Sequence, residues 1–543
     1  MRIEHIRFDS SGGLSGEYLS SFSKVRHLYG WDPGKGESYR ERYAELLSRR
    51  EFACSRFQLA GVLREFHSGE LYHPAVEQNI RRLENPESVV VIGGQQAGLL
   101  TGPLYTVYKA ISVIQLARRE EKRLGVPVIP VFWIAGEDHD LDEVDHVYMP
   151  DPEGRLTKHR LNLSTEGRRL SAGHVLLDPK SVEGWLKELA LRLPDTEFKE
   201  GMLKELARGA AEPVSLTRYF AKLLHRLFGR FGLVQIDSSY PPLRRIEGPF
   251  FERLVEENAA LDEAVRHQIK QVESLGHPSP LDLHPGCAHL FVYVEGQRHL
   301  LLRDGAGFVT RDGQMRWSER ELLRMAREEP ERLSNNVVTR PLMQEFLFPT
   351  LAAVVGPGEI AYWGCLGKAF SEMGMAMPVL MPRAGVTLID RTTERYLRLL
   401  DLSVEDIFAG LDRRKRAWIA ENTPLDIQAV FADAEQKVEG LYDSLIEQLS
   451  SLGPDMRRLG HKNRLKVMEQ VAYLKRKAER MIELRHETAL RRFDHISLRC
   501  LPGGRLQERV YNIVPYWNEY GIEWVERLTE TPLSFFEHQA VFL

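Results

Sequence analysis

The chain has 543 residues, 43% of them apolar and 28% charged, with a formal net charge of −4. That length exceeds what one hydrophobic core usually supports, so more than one domain is expected. The charge excludes a basic face for nucleic acid, and no apolar run approaches the roughly 18 residues of a membrane span. The beginning, MRIEHIRFDSSGG, lacks the positive-then-apolar form of a signal peptide. We therefore expect a cytoplasmic, multidomain enzyme that works without nucleic acid or a membrane.

The first predicted elements form a strand–helix–strand unit. Ser88–Gly94 (SVVVIGG) is short, β-branched and ended by glycines, which indicates a buried strand. Leu104–Arg123 has helical spacing, good helix formers and a basic end, which indicates a helix. Val128–Ala135 is again uncharged and apolar, as a fully buried strand would be. The order predicts parallel pairing of the two strands in an α/β, Rossmann-like parallel-sheet core.

The turn GGQQAGLLTGP, Gly93–Pro103, lies between the first strand and the helix. Glycines in such a turn let a ligand approach backbone N–H groups, and a helix N-terminus favours an anionic group. The turn matches neither the dinucleotide fingerprint nor the phosphate loop of nucleotide hydrolases. A tight turn that needs glycine for packing is the alternative. The candidates for substrate binding here are Gln95, Gln96, Gly98 and Thr101.

An acidic stretch, GEDHDLDEVDH, follows the second strand. We expect a helix over Asp138–Tyr148, whose first turn favours carboxylates and whose one face carries His139, Glu143 and His146. A histidine among carboxylates can shuttle protons near neutrality, so the predicted catalytic residues are Asp138, His139 and Asp140. A metal on the shared face is an alternative, but HExxH-type spacing is missing and no metal is expected. A solvated helix face without function is the other alternative.

Three later features complete the predicted core. Gly232–Asp237 (GLVQID) indicates another buried strand. Residues 288–313 alternate in polarity and turn at Glu295–Gln297, which predicts an antiparallel hairpin unit inserted into the core. Val337–Tyr362 is again rich in apolar residues and contains several glycines and prolines. The core is therefore placed at residues 1–386, with insertions at about 150–230 and 241–335.

The segment Arg340–Trp363 carries a second group of candidate substrate-binding residues. A turn at GPGE would expose Glu359, and Arg340 could pair with a carboxylate through two hydrogen bonds. A core strand with a structural Arg–Glu pair explains the same pattern equally well. The candidates are Arg340, Glu359, Tyr362 and Trp363.

The four cysteines, Cys54, Cys287, Cys365 and Cys500, are far apart in the sequence. Neither a CxxC zinc site nor a disulfide framework is indicated. Cys365 lies near the previous segment, but a single thiol without an assigned base is more often a packing residue. We therefore favour packing over a covalent cysteine mechanism.

Residues 387–500 differ from the core in their heptad-like spacing. Apolar residues recur at three and four positions along two runs, and Gly453-Pro454 separates the runs. This predicts two long helices folded back as an all-α, antiparallel coiled-coil arm. The same heptads could also close between two subunits, so a homodimer is the natural hypothesis. The runs are Val438, Leu441, Leu445, Leu449 and Leu452, and then Leu465, Met468, Val471, Leu474, Ala478 and Met481.

From residue 501 to residue 543 the composition is mixed again, and this segment is expected to pack back on the core. Its start, PGGRLQERVYN, has two glycines beside polar and basic residues and could hold a nucleotide. An ordinary turn is the favoured alternative. The candidate cofactor-binding residues are Gly503, Gly504, Gln507 and Asn512.

Taken together, three stretches resemble the BshC family, the cysteine-adding enzymes of bacillithiol biosynthesis. They are GGQQAGLLTGPLYTVYK (Gly93–Lys109), PVFWIAGEDHDLDEVDH (Pro130–His146) and RPLMQEFLFPTLAAVVGPGEIAYW (Arg340–Trp363). The resemblance extends over nearly the whole chain, and motifs this long rarely match by chance. It implies a ligase that joins cysteine to the amine of glucosaminyl malate, in the last step towards bacillithiol. It also implies connecting-peptide regions inserted in the Rossmann core and dimerisation through the coiled coil.

The family's core is similar to that of nucleotidylyltransferases and class I aminoacyl-tRNA synthetases, which implies activation of cysteine by ATP. Their His-x-Gly-His and Lys-Met-Ser-Lys-Ser motifs have no counterpart here, so an acyl adenylate and an acyl phosphate both stay open. The expected cofactor is ATP or ADP as co-substrate, with Mg²⁺ only as the companion of the nucleotide. The expected partners are cysteine, glucosaminyl malate, the nucleotide and a second copy of the chain.

Two other functions fit parts of the pattern. A nucleotide-regulated scaffold would recruit partners through the coiled coil and bind a metabolite without turnover. A metal hydrolase would rest on His139, Glu143 and His146 and predicts stoichiometric metal. Turnover by the purified protein alone separates the ligase from the scaffold, and sensitivity to chelators separates it from the hydrolase.

Overall fold

The computed structural model describes residues 1–6, 12–49, 53–151, 154–163, 165, 167–423 and 425–543. The chain divides into two compact units. The first consists of residues 1–388 and 505–543, and the second of residues 389–504. The limits predicted from the sequence lie after residues 386 and 500. Among the described residues, no helix combines the length and the apolar composition needed to cross a bilayer.

The strands are short and lie mostly in the first unit. In chain order they are β1 (Arg2–Ile6), β2 (Val89–Gln95), β3 (Val128–Ile134), β4 (His146–Pro150), β5 (Leu156–Arg160), β6 (Leu176–Leu177), β7 (Val214–Ser215), β8 (Val234–Asp237), β9 (Cys287–Val294), β10 (Gln297–Asp304), β11 (Gly307–Thr310), β12 (Arg316–Ser318), β13 (Leu333–Asn335), β14 (Thr350–Val355), β15 (Val379–Pro382), β16 (Gly385–Ile389) and β17 (His538–Phe542).

The helices range from single turns to long rods. In chain order they are α1 (Gly13–Ser20), α2 (Phe22–Tyr29), α3 (Gly36–Arg49), α4 (Arg56–Phe66), α5 (Pro74–Leu83), α6 (Leu104–Leu124), α7 (Pro179–Ala190), α8 (Lys199–Gly209), α9 (Leu216–Phe228), α10 (Pro241–Glu256), α11 (Asn258–Ser274), α12 (Glu319–Glu328), α13 (Thr339–Leu347), α14 (Pro357–Trp363), α15 (Gly367–Glu372), α16 (Arg391–Leu399), α17 (Val404–Asn422), α18 (Ile427–Leu449), α19 (Pro454–Arg485), α20 (Glu487–Cys500), α21 (Val514–Tyr520) and α22 (Glu523–Glu530).

The first unit is built on a parallel sheet with the strand order β15-β14-β2-β3-β8. Each neighbouring pair in it is parallel. Strands β2 and β3 and the helix α6 between them form the predicted βαβ unit. Helix α6 ends at Gly125, whose left-handed conformation suits a helix C-cap because glycine has no Cβ. The predicted Rossmann-like core is therefore confirmed.

The predicted helix over Asp138–Tyr148 is wrong. The acidic stretch forms one 3-10 turn, Leu141–Glu143, and then strand β4, which pairs with β5 in an antiparallel hairpin. Strand β4 buries alternate residues, Val147 and Met149, and this period of two favours a strand over a helix. The correction removes the shared helical face on which a metal site would have rested. Its members were to be His139, Glu143 and His146.

The predicted hairpin inserted in the core is confirmed and belongs to a larger antiparallel sheet. The strand order of this sheet is β12-β11-β10-β9-β13. Strands β9 and β10 turn at Glu295 and Gly296, whose φ angles of +49° and +77° suit a tight two-residue hairpin turn. At the end of the chain, β17 returns to the first unit and pairs with β1.

The second unit is all-α and contains the predicted pair of long helices, α18 and α19. Helix α19 begins at Pro454, so the predicted break between the two apolar runs is confirmed. Hydrogen bonds across the pair join Gln428 to Glu479 at 2.9 Å and Tyr442 to Asn463 at 2.5 Å. The partner numbers fall as the first numbers rise, as antiparallel helices require.

Candidate functional site

A cavity of about 860 Å³ opens where the carboxyl ends of the parallel strands meet. Residues directly after four of these strands line it: Gln96 after β2, Ala135 after β3, Gly356 after β14 and Arg383 after β15. Open α/β sheets bind ligands at this edge, in the crevice where the strand order reverses. Here the reversal lies between β2 and β14. The antiparallel sheet contributes another wall through β9 and β10.

A buried lysine links the two strands at this reversal. Lys109 of α6 is 1% exposed, and its ammonium group donates to a backbone carbonyl of β2 at 2.7 Å and to the Gln95 side chain at 3.0 Å. It also forms an ion pair with Glu359, which accepts the Gly356 N–H at 2.7 Å. Burial would raise the pKa of Glu359, but Lys109 and Arg340 outweigh burial and hold that pKa below its ordinary value. Glu359 is therefore a fixed carboxylate at the cavity wall.

The two adjacent glutamines have different partners. Gln95 accepts from Lys109, whereas the Gln96 amide nitrogen donates to Asp138 at 2.6 Å and to Glu143 at 3.0 Å. Both glutamines and Asp138 line the cavity. The structure thus brings the predicted glutamine pair and one predicted catalytic residue together, although they come from different strands.

His139 lies beside the cavity wall, next to one of its cations. Its Nδ1 accepts a hydrogen bond from Arg298 at 3.3 Å, and its ring centroid lies 6.0 Å from that of Phe291. Burial first, and the Arg298 guanidinium second, lower the pKa of His139. Both effects favour the neutral imidazole, and the lone pair of Nδ1 is directed at a cation. Asp138 is better placed to accept a proton from a ligand in the cavity.

A buried carboxylate that the sequence analysis missed, Glu137, lines the cavity one residue before Asp138. Arg244 donates to Glu137 at 2.5 Å and to Glu247 at 2.9 Å, so two buried carboxylates share one guanidinium. The backbone N–H of Asn335 also donates to Glu137, at 3.3 Å. Burial raises the pKa of Glu247 to about 7. These contacts fix the position of Glu137 and leave Glu247 as a second carboxylate behind the wall.

Positive charge is prominent in the cavity wall. Of the described lining residues, six are lysine or arginine and four are aspartate or glutamate. Arg298 stacks its guanidinium 3.8 Å from the Phe291 ring centroid, and Arg383 forms two hydrogen bonds with buried Glu508. Such a wall suits a ligand with several carboxylate or phosphate groups. The cations are Lys109, Arg298, Arg311, Arg340, Arg383 and Arg509, and the carboxylates are Glu137, Asp138, Asp282 and Glu359.

Two of the missed cations carried a signal in the sequence. Lys109 is the one charged residue in Leu104–Leu116, and Arg383 interrupts an equally uncharged run. A lone cation in an apolar run is unfavourable to bury, so it indicates a buried partner or a bound anion. Arg298 and Arg311 lie on or next to strands of alternating polarity, where a charged residue is ordinary. Those two had no such signal.

Several predicted residues are not part of the described cavity wall. Gly98 is required for packing, because a Cβ there would lie 2.6 Å from the Gly102 Cα. Asp140 is exposed, and Trp363 is buried with its ring stacked 5.8 Å from that of Phe370. Those outside the described cavity wall are Gly98, Thr101, His139, Asp140 and Trp363.

The predicted nucleotide-binding residues are divided between the two units. Gly503 and Gly504 belong to the second unit and are exposed. Gln507 is buried in the first unit and makes two hydrogen bonds with the backbone of Leu388, at 2.8 and 2.9 Å. The Asn512 oxygen accepts a backbone N–H at 2.9 Å. Both of these side chains therefore have structural contacts, and a nucleotide at this segment stays a prediction.

Two domain models of one family match consecutive parts of the chain. Residues 1–384 match the N-terminal Rossmann-like domain of bacillithiol biosynthesis BshC, and residues 386–543 match its C-terminal coiled-coil domain. The chain belongs to the BshC family. The resemblance drawn from the three motifs is therefore confirmed, as is the order of a Rossmann-like core followed by a coiled coil.

Relatives with the name "Putative cysteine ligase BshC" align with this BshC-family chain over nearly its full length. The protein of Geobacillus sp. (strain WCH70) is 37% identical over 98% of this chain and 97% of its own length. That of Bacillus licheniformis is 36% identical over 100% of both chains. That of Bacillus cereus (strain Q1) is 34% identical over 98% of both.

Proposed function

We propose that this BshC-family protein is a ligase that joins the carboxyl group of cysteine to the amine of glucosaminyl malate, with ATP as co-substrate. The name of its relatives supports a cysteine ligase. The observation that carries the proposal is the cavity at the carboxyl edge of the Rossmann-like sheet, where cations and carboxylates are interleaved. A zwitterionic amino acid and a dicarboxylate acceptor are ligands that such mixed charge suits.

Formation of the amide needs an activated carboxyl group and a deprotonated amine. Asp138 is the residue to which we assign the amine proton, because it lines the cavity and the 2.6 Å hydrogen bond from Gln96 orients it. His139 is the second candidate, but it would have to release Arg298 first. Glu359 would hold a substrate ammonium group.

The cations divide into groups that would serve different anions. Arg340, whose side chain donates to the Tyr362 hydroxyl, would bind the malate carboxylates. Arg383 and Arg509 line the same cavity and would hold nucleotide phosphates, with Mg²⁺ as the companion of the nucleotide. An acyl adenylate releases AMP, whereas an acyl phosphate releases ADP, and this wall suits both.

The proposal extends to a cytoplasmic homodimer formed through the arm. Apolar residues of α18 and α19 remain largely exposed in the single chain, as Leu441 (59%) and Leu474 (60%) illustrate. Soluble monomers seldom expose a long apolar stripe, and a second copy would cover it. The exposed members of the two runs are Leu441, Leu445, Leu452, Leu465, Leu474 and Met481.

The test is a mass-spectrometric turnover assay on the purified protein with cysteine, glucosaminyl malate and ATP. We expect bacillithiol together with an equal amount of AMP or ADP, and the nucleotide product distinguishes the two acyl intermediates. Glu359→Gln should reduce product, and Glu256→Gln on the exposed side of α10 should not. Tight binding of the substrates without any product would contradict the ligase and favour the metabolite-binding scaffold.

A further inference from the structure

One of the four cysteines lies in the cavity wall. Cys287, the first residue of β9, lines the cavity and is 3% exposed. Cys54, Cys365 and Cys500 are buried elsewhere and are absent from the described wall. Burial raises the pKa of Cys365 to about 12, and the pKa of Cys500 is also raised by burial. A raised pKa lowers the fraction of reactive thiolate, so Cys365 and Cys500 should react slowly.

A histidine and an aspartate accompany Cys287. His289 is fully buried, and its Nε2 lies 2.9 Å from a carboxylate oxygen of Asp262. Burial would lower the pKa of His289, but side-chain hydrogen bonds with Asp262 and with Cys287 outweigh burial and raise it. Its Nδ1 lies 3.3 Å from the side-chain nitrogen of Asn336, which also lines the cavity. Thiol, imidazole and carboxylate thus have the order of an activated nucleophile, its base and the group that orients the base.

The backbone is distorted where it presents this histidine. His289 has a φ of +56°, which is rare for a residue with a side chain. The pairing of β9 with β10 shifts register at the same place, between the pair Leu300–Phe291 and the pair Leu302–Cys287. A bulge of this kind re-aims side chains out of the regular alternation of a strand. The irregular segment between Cys287 and Phe291 contains His289.

An unpaired amide beside these residues points to a ligand. Asn335 is 1% exposed and lines the cavity, and within the described part of the chain neither polar atom of its side chain has a hydrogen-bond partner. Asn335 pairs with Leu290 of β9, next to His289 in the chain. A buried amide without partners is unfavourable, so a ligand with both a donor and an acceptor would stabilise it. Arg298 on β10 adds a cation for a carboxylate on the same wall.

We propose that Cys287 is a thiol–disulfide exchange site in the cavity, with His289 as its base, and that its ligand is a small amino-acid disulfide such as cystine. The ammonium and carboxylate groups of such a ligand match Asn335 and Arg298. The choice of cystine rests on the proposed function, because cystine is the disulfide of the substrate cysteine. The reactivity of Cys287 does not depend on that function.

The exchange is balanced without any further reactant. His289 accepts the thiol proton of Cys287, and the resulting thiolate attacks one sulfur of cystine. The S–S bond of cystine breaks, a new S–S bond joins Cys287 to one half, and the other half leaves as a thiolate that takes up a proton. The attached cysteinyl group occupies the cavity, which closes it to substrate until a free thiol reverses the reaction.

The experiment incubates the reduced full-length protein with cystine and follows intact mass and peptide mass over time. We expect a single cysteinyl adduct on Cys287, formed at least about tenfold faster than any adduct on Cys54, Cys365 or Cys500, because the thiolate is the attacking species. A reducing agent should remove it. The readout is a mass and needs no turnover, so its failure is distinguishable from failure of the ligase proposal.

Three variants sharpen the result. Cys287→Ser should lose the fast adduct, whereas Cys365→Ser should keep it. His289→Asn should slow the reaction by about tenfold, and asparagine tolerates the left-handed backbone at this position. An adduct that forms on Cys287 no faster than on the other three cysteines of the unmodified protein would overturn the proposal, whether or not the His289 variant folds. So would an unchanged rate in a folded His289→Asn protein.

Discussion

The cavity wall and the coiled-coil arm differ in which side chains they bury and which they expose. In the first unit several charged side chains of the cavity wall are buried and paired, as Lys109 (1% exposed) and Arg383 (9%) illustrate. In the arm the charged side chains form exposed pairs such as Arg464 with Asp443, and apolar Leu465 is 63% exposed. Of the described residues of α18 and α19, only two isoleucines of α18 are buried.

This difference indicates which kind of ligand or partner would stabilise each surface. A wall with several desolvated cations is stabilised by an anionic ligand that supplies the missing charge. Burial of apolar surface contributes a free energy of roughly 25 cal/mol per Å². An apolar stripe in water gains this free energy only when another apolar surface covers it. We therefore expect the cavity to bind a small charged ligand and the arm to bind a second protein surface. Changes of charge should affect the cavity, and changes of apolar character should affect the arm.

The largest effect is expected in the cavity that we propose as the active site. If Asp138 accepts the amine proton, Asp138→Asn should lower turnover by about 10²–10⁴-fold, and His139→Asn should lower it less because its Nδ1 already accepts from Arg298. Steady-state rates by mass spectrometry measure both. Asp142→Asn is the control, since Asp142 lies in the same acidic stretch but pairs with Arg160 outside the described wall. A larger loss in His139→Asn would reverse the assignment.

The next effect concerns the buried ion pair. Lys109→Met leaves the Glu359 carboxylate, 23% exposed, without its main partner and should lower the free energy of unfolding by about 2 kcal/mol. Urea denaturation measures the loss. The double variant Lys109→Met, Glu359→Gln should recover part of it, because no carboxylate is then left unpaired. Lys122→Met on the exposed end of α6 should change stability by no more than about 0.5 kcal/mol.

The arm offers the converse test. Replacing Leu465 and Leu474, which are 63% and 60% exposed, by glutamate should weaken the proposed homodimer by about 10²-fold or more, because charges then enter an apolar interface. Sedimentation at several concentrations measures the dissociation constant. Leu191→Glu, at an 85% exposed leucine of the first unit, should leave the dimer intact. An unchanged dissociation constant in the arm variant would mean that these leucines do not form the contact.

Patterns of apolar residues predicted the fold well because burial enforces them. Short uncharged runs predicted buried strands at β2 and β3. Apolar residues in heptad spacing predicted long helices at α18 and α19. The prediction for the acidic stretch after β3 was wrong for the opposite reason. Carboxylates are compatible with a helix start, a turn and a strand, and only the alternate burial of Val147 and Met149 favours a strand. Without an apolar periodicity, the preference of carboxylates for a helix N-terminus was too weak to distinguish a helix from a strand.

The candidate site was predicted in part, for a related reason. Residues at strand ends, such as Gln96 and Asp138, could be found because strand ends of a parallel sheet converge. Arg298 and Cys287 come from the antiparallel sheet, and nothing in one sequence says that this sheet closes the same cavity. Glu137 could have been chosen as readily as Asp138, since they are neighbours. Only the position of Arg244 distinguishes the fixed carboxylate from the one that faces a ligand.

Charge burial in the core should also leave a signature in solution. Burial raises the pKa of Glu247 from 4.5 to about 7, so the folded protein binds more protons than the unfolded chain between these values. Stability from this group is therefore lost as pH rises from 4.5 to 7, by up to about 1.4 kcal/mol per pH unit. Glu247→Gln should remove that slope, so its stability relative to the unmodified protein should rise with pH and level off above 7.

Urea denaturation at several pH values measures the difference, in which the buried histidines cancel because both proteins retain them. Glu256→Gln, exposed on the same helix, should show a flat difference. A flat difference for Glu247→Gln as well would mean that Arg244 keeps both carboxylates ionised, and that the core tolerates buried charge more fully than the comparison with the arm suggests.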